Sequence, residues 1–199
     1  MSARRRRPLV PTWVLLAASV VGLVAAPSGV VWLAYFRHRT PPVPAVAPFD
    51  PTALTVDSLG LHSVGVLPMA LDRGALNPPD NPRLVGWWNR SADAGAEVGT
   101  TLLTAHKVHN SGSAVFEHLV ELRPGATVVL GGAAGSRTYV VQDVRVLTKD
   151  QLAAASAQLF AQDGPHRLVL VTCEDWDGTG FTANSVVTAV PVAPSPPAS

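Results

Sequence analysis

The feature that most narrows what this chain can fold into is a succession of short β-type runs separated by turn signals. The runs are Ala53–Val56, Leu61–Val66, Thr100–Ala105, Thr127–Leu130, Thr138–Val146, Leu168–Cys173 and Ser185–Val190. Between them fall Arg123-Pro124-Gly125, Gly131-Gly132 and Asp163-Gly164-Pro165, where proline fixes φ and glycine admits positive φ. Strands at this spacing predict an all-β sandwich or barrel. Two stretches have helical composition, Ala114–Leu122 and Lys149–Ala161. Trp87-Trp88 and Pro78-Pro79-Asp80 lie in a long irregular segment expected to pack over the core.

The N-terminal part reads differently. Thr12 to Phe36 carries no charge and is long enough to cross a bilayer as a helix, which takes about 20 apolar residues. Arg4 to Arg7 precede it and Arg37 and Arg39 follow, so the excess of arginine predicts a cytoplasmic N-terminus. A cleavable signal peptide is the competing reading, with Ala26 at the cleavage position. Pro27 directly after it and the continuing apolar run favour a retained anchor. Pro41, Pro42, Pro44, Pro48 and Pro51 then give an extended spacer. The expected organisation is a basic tail (1–11), a transmembrane signal-anchor (12–36), a Pro-rich linker (37–51), a folded domain (52–192) and a disordered tail (193–199). A domain of that size buries an adequate core without disulfides. The net charge of +1 gives no broad positive field, so nucleic acid is not an expected partner.

Cys173 is the only cysteine, and it ends the run Leu168–Cys173 just before a turn rich in Gly and Asp, Glu174–Gly180. Beyond a membrane it has no partner for an internal disulfide. Two readings stand: a small buried hydrophobe, or a nucleophile presented at the rim of a sheet. A nucleophilic thiol needs a group that takes its proton, usually histidine. Of His62, His106, His109, His118 and His166, His106 has the matching placement, ending the run Thr100–Ala105 before a polar loop. His109 is the main competitor, and His118, in a helical stretch, reads as a surface residue. His106 and His109 have ligand-like spacing, but no second cysteine or His/Asp cluster completes a metal site. Glu174, Asp175 and Asp177 form an acidic turn that reads as solvated more readily than as a loose calcium site. No cofactor is expected.

Leu170-Val171-Thr172-Cys173 resembles the aliphatic-x-Thr-Cys motif of the sortases, membrane-anchored cysteine transpeptidases of Gram-positive bacteria. Thr104-Ala105-His106 followed by Ser113-Ala114-Val115-Phe116 resembles the family's histidine strand and the helix after it. Gly65-Val66 through Met69-Ala70-Leu71-Asp72, Val85-Gly86-Trp87-Trp88 and Leu122-Arg123-Pro124-Gly125 are most similar to class F members. The resemblance runs from about Leu54 to Ala189. It implies a sortase-like eight-stranded β-barrel with short helices. It also implies attack by Cys173 on a backbone carbonyl of an LPxTG-like sorting signal, with His106 as acid and base. The resulting acyl-enzyme would be released by an amine of a cell-wall precursor or pilin.

One departure stands out. Sortases carry an arginine on the strand after the cysteine, and this chain has no arginine after Arg167 and no lysine after Lys149. Registering Ser185–Ala189 on that strand puts Asn184 at or beside the arginine position, where an amide offers two donors but no charge. Asn184 is therefore read either as an oxyanion donor or as a turn residue. Arg167 sits at the far end of the cysteine strand. Thr172 alternates with Cys173 and is read either as a core hydroxyl or as a substrate contact. Leu147–Gly164 resembles the loop that walls the sorting-signal pocket, though its apolar residues could equally cover the barrel. Without the arginine, two alternatives remain: a peptide-binding domain with weak or no turnover, and a hydrolysing cysteine peptidase.

Overall fold

The computed structural model describes residues 47–109 and 112–192. The basic tail, the apolar segment, most of the linker and the C-terminal tail lie outside the described residues. No helix among the described residues is long and apolar enough to cross a membrane. The strands are β1 (Ala53–Val56), β2 (Leu61–Met69), β3 (Val85–Trp88), β4 (Thr100–Thr104), β5 (Thr127–Gly132), β6 (Gly135–Thr148), β7 (Arg167–Trp176) and β8 (Phe181–Pro191). The α-helix among the described residues, α1 (Lys149–Leu159), links β6 to β7. The strands close into a barrel in the order β1-β2-β3-β4-β7-β8-β6-β5. The pairs β2–β3 and β4–β7 are parallel, and the remaining pairs are antiparallel.

Eight strands enclose a space just wide enough for side chains to fill. Leu54, Val56, Leu103, Leu130, Tyr139, Leu168 and Leu170 fill it, all fully buried. Because side chains alternate along a strand, the residues between these face outward. Leu102 of β4, Val169 and Val171 of β7 and Val186 of β8 build a second apolar cluster there, with Leu152, Ala155, Leu159 and Phe160 of the α1 region packed over it. That outer cluster is what seats the helix.

Two expectations are corrected. Trp87-Trp88 belong to a strand, because β3 is short and takes its order from its neighbours. It pairs with β2 through Val66↔Val85 and with β4 through Gly86↔Thr104. A β-carbon at Gly86 would sit 2.7 Å from Met69 Cγ and 3.1 Å from Pro79 Cδ, so glycine lets the Pro78-Pro79 segment lie close over the strand. Ala114–Leu122 is not an α-helix but a series of three-residue turns ending in a 3-10 turn, Leu119–Glu121. Leu119 N–H donates to Phe116 O, Glu121 N–H to His118 O and Leu122 N–H to Leu119 O. Three residues per turn align Phe116, Leu119 and Leu122, all buried, over the barrel interior.

The fold also reaches back into the expected linker. Phe49 is buried and exchanges backbone hydrogen bonds of 3.0 Å with Ala94. Burial of a side chain this size contributes roughly 1.5–3 kcal/mol, enough to hold the chain against the barrel before β1 begins.

Candidate active site

Cys173 lies near the C-terminal end of β7. The alternation that turns Leu168 and Leu170 inward turns Val171 and Cys173 outward, so the thiol is half-buried rather than sealed in the barrel. It lines a cleft of about 300 Å³ on the outer face. The floor comes from outward residues of three adjacent strands: Leu102 and Thr104 of β4, Val171 and Cys173 of β7, and Asn184 of β8. Leu152 and Phe160 form one wall, and Leu76, Asn77 and Pro78, from the segment before β3, form another. The apolar residues of Leu147–Gly164 thus both cover the barrel and wall the cleft.

His106 follows the end of β4. The β4–β7 pairing runs in parallel register to Thr104↔Val171 and continues past the strand end. Ala105 N–H donates to Val171 O at 3.3 Å, and Thr172 Oγ1 donates to Ala105 O at 2.8 Å. Extending that register by one more residue sets the backbone of His106 level with Cys173. The carbonyl of His106 accepts from Phe116 N–H at 3.4 Å. Ala105 lines the cleft, while His106 is half-buried and outside the lining set.

The other histidines have other partners. His109 is exposed and stacks on Trp176 with ring centroids 4.9 Å apart. His118 Nδ1 meets Glu121 Oε1 at 2.7 Å, and His62 Nδ1 meets Asp57 Oδ1 at 3.3 Å, both at the surface. His166 is buried, with Nε2 3.1 Å from the Tyr139 hydroxyl.

Asn184 is directly opposite Cys173 in the β7–β8 ladder. Its Nδ2 donates to Thr172 O at 3.2 Å. That bond uses one of the two amide donors and leaves the second for the cleft among the described residues. Arg167 donates from Nε to Thr100 Oγ1 at 2.9 Å. Six residues of strand separate it from Cys173, about 20 Å at a strand's rise per residue, so its charge is not in the cleft. Thr172 is buried, with its hydroxyl committed to Ala105 O, so the geometry gives that hydroxyl a structural role.

Burial pushes the Cys173 thiol above its ordinary value; Lys149, at the start of α1, opposes this and Glu174 adds to it. Glu174 is itself held below the usual carboxylate range. Burial would raise it, but hydrogen bonds from Lys107 and Ser185 outweigh burial. Sequence reasoning treated Glu174 as part of a solvated turn, yet it is 8% exposed. The signal that could have found it was a glutamate directly after the sole cysteine, with a lysine directly after His106.

No group of three His, Cys, Asp or Glu side chains converges as a metal site among the described residues. Asp177 instead accepts hydrogen bonds from the N–H groups of Thr179 and Gly180 and from the Thr179 hydroxyl, organising its own turn.

The comparisons with known proteins agree with this architecture. The chain is similar to the solved structure of Streptococcus agalactiae sortase C1 in complex with MTSET, with a TM-score of 0.57 and 18% identity over 73% of this chain and 71% of that one. It is similar to the SrtA sortase of Actinomyces oris, with a TM-score of 0.57 and 17% identity over 77% and 88%. It is also similar to sortase C-1 of Actinomyces oris, with a TM-score of 0.54 and 17% identity over 72% and 76%. No curated protein sequence matches significantly. Identities this low speak for the fold alone. The family rests on the sequence: the sortase-domain family model matches residues 54–192, spanning every strand from β1 to β8 apart from its first residue, and the chain belongs to the sortase family.

Proposed function

We propose that the protein is a sortase-type cysteine transpeptidase of class F type, acting on an LPxTG-like sorting signal. The observation that carries this reading is the cleft itself. The sole thiol, the amide of Asn184 and the strand end leading to His106 converge on one apolar groove outside the barrel. Leu152, Phe160 and Pro78 offer apolar walls suited to the leucine and proline of such a signal. The class F reading rests on the sequence fragments around Met69–Asp72, Val85–Trp88 and Leu122–Gly125.

In the reaction, the thiol proton of Cys173 passes to His106 and the thiolate sulfur attacks the scissile carbonyl carbon. Asn184 Nδ2 donates a hydrogen bond to the developing oxyanion. The C–N bond breaks, and the His106 imidazolium protonates the departing amine. The thioester then waits for the amine of a cell-wall precursor or pilin, which gives up its proton to His106 as the new C–N bond forms; the C–S bond breaks and that proton returns to the Cys173 sulfur. Residues 12–36 anchor the enzyme in the membrane of a Gram-positive cell, with the N-terminus cytoplasmic and the barrel outside. That placement rests on the uncharged run and the flanking arginines.

Incubation with an LPxTG peptide and a primary amine, read by mass spectrometry, tests the proposal. An amide product is expected. Acid product alone would indicate a hydrolytic peptidase, and peptide binding without a Cys173 adduct would indicate a binding domain. Cys173→Ala and His106→Ala should each abolish the adduct, and activity retained in either would overturn the assignment.

A further inference from the structure

Three side chains, each one residue past a proposed site residue, converge on one carboxylate. Lys107 follows His106, Glu174 follows Cys173 and Ser185 follows Asn184. Lys107 Nζ donates to Glu174 Oε1, and Ser185 Oγ donates to Glu174 Oε2 at 2.5 Å. Strand alternation explains the coincidence. Cys173 and Asn184 are opposite each other and face outward, so Glu174 and Ser185 turn to the inner side together. The charged pair is mostly buried, with Lys107 and Glu174 side chains 18% and 11% exposed. A buried carboxylate is tolerated when it is paired and hydrogen-bonded, and here both oxygens have a partner.

The contacts form two rungs across the parallel β4–β7 edge. Thr172 bonds Ala105 just before the pair of interest, and Glu174 bonds Lys107 just after it. The segment after β4 is also tied to the Ala114–Leu122 turns, through Phe116 N–H to His106 O and Val108 N–H to Glu117 Oε2, and the Lys107–Glu174 rung ties it to β7 a second time. Two rungs fix both the position and the direction of His106 relative to the sulfur. The bond to Ser185 brings the strand of Asn184 into the same anchor.

We propose that Glu174, with Lys107 and Ser185, is the positioning element of this site, a buried carboxylate that sets the spacing among His106, Cys173 and Asn184. This rests on the roles assigned above to those three residues. Lys107 has a second task, because an uncompensated carboxylate adjoining the sulfur opposes thiolate formation. The charged and titratable groups around Cys173 are His106 after β4, Lys149 at the start of α1, and Glu174 with Lys107, and His109, Glu117 and Asp177 line the same cavity as that pair. Asp175 follows on the exposed side of β7, and Asn184 contributes a neutral amide from β8.

The test compares wild-type, Lys107→Met, Glu174→Gln and the double variant in two assays. One is the pH dependence of Cys173 alkylation by iodoacetamide, and the other is single-turnover acylation by an LPxTG peptide. Melting temperature is recorded for each variant. Lys107→Met should move the alkylation midpoint up by about one pH unit, the scale of a nearby charge left unpaired. Adding Glu174→Gln in the same chain should return the midpoint to the wild-type value or below. Acylation should stay slowed by about 10²-fold in the double variant, because the anchor is still broken. An alkylation midpoint unmoved in Lys107→Met, or acylation by the double variant equal to wild-type, would overturn the proposal. So would losses that vanish when the assay is cooled well below each variant's melting temperature. If wild-type fails to acylate at all, the transpeptidase reading falls, while the alkylation midpoints still decide the role of the pair.

Discussion

Asn184 poses the sharpest question at the scale of single residues. It occupies the strand position directly across from the sulfur, and it supplies hydrogen-bond donors without charge. With one donor on Thr172 O, the amide is held at the cleft lining and keeps a second N–H to donate. Preorganised donors stabilise an oxyanion strongly, and removing one slows other acyl-transfer enzymes by about 10²–10³-fold. Asn184→Ala should therefore slow peptide acylation by that order while leaving the pH profile of Cys173 alkylation in place, since a neutral amide adds no charge at the sulfur. Single-turnover kinetics with a labelled peptide would check it. Unchanged acylation would make Asn184 a strand-edge residue and leave the oxyanion to backbone donors.

Among the elements, α1 matters because it carries the cleft wall. Its N-terminus is closed by a reciprocal capping box. Gln151 N–H donates to Thr148 Oγ1 at 3.2 Å, and Thr148 N–H donates to Gln151 Oε1 at 2.9 Å. Loss of such a cap costs about 1 kcal/mol. Thr148→Ala should loosen the helix that holds Leu152 and, at its C-cap, Phe160. The expected result is a raised KM for the sorting peptide with kcat nearly unchanged, measured by steady-state kinetics. A fall in kcat at constant KM would mean that α1 serves the chemistry rather than peptide binding. The sequence made this helix legible through its Leu/Ala content, and seven strands were legible from β-branched runs between turn residues. The strand β3 was not, because Val85-Gly86-Trp87-Trp88 has too little alternation of its own. Neither was the turn structure of Ala114–Leu122, whose apolar spacing of three fits a 3-10 path. Cys173, His106 and Asn184 could be singled out locally because each borders a β-type run in the sequence, although β7 runs on to Trp176 and β8 begins at Phe181, which puts Cys173 and Asn184 inside strands. The Lys107–Glu174 pair could not, since its partners are 67 residues apart and meet only through the β4–β7 register.

For the molecule as a whole, the titrating groups define a window of stability. Burial, the largest influence on His166, pushes it below its ordinary 6.5. The unfolded chain therefore takes up a proton there that the folded barrel resists, and stability falls as pH drops below about 6.5. Glu174, held below its ordinary 4.5 by bonds that outweigh burial, adds a second acid limb of the same sign. On the alkaline side, burial raises both Cys173 and Tyr139 above their ordinary 9.0 and 10.0. The unfolded chain loses those protons first, so stability falls again as pH rises past about 9. Melting temperature against pH should thus show a plateau between roughly pH 6.5 and pH 9. His166→Gln, which can keep a hydrogen bond to Tyr139, should extend that plateau downward and leave the lower acid limb set by Glu174 and by Asp177, whose carboxylate is held down by hydrogen bonds from Thr179 and Gly180. His166 and Cys173 lie at opposite ends of β7, about 23 Å apart along the strand, well beyond the screening length near 10 Å at moderate salt. The same substitution should consequently leave the pH profile of peptide acylation where it is. A melting temperature in the wild-type that stays flat from pH 7 to pH 5, or an acylation profile that moves with His166, would contradict this separation of the structural titration from the chemical one.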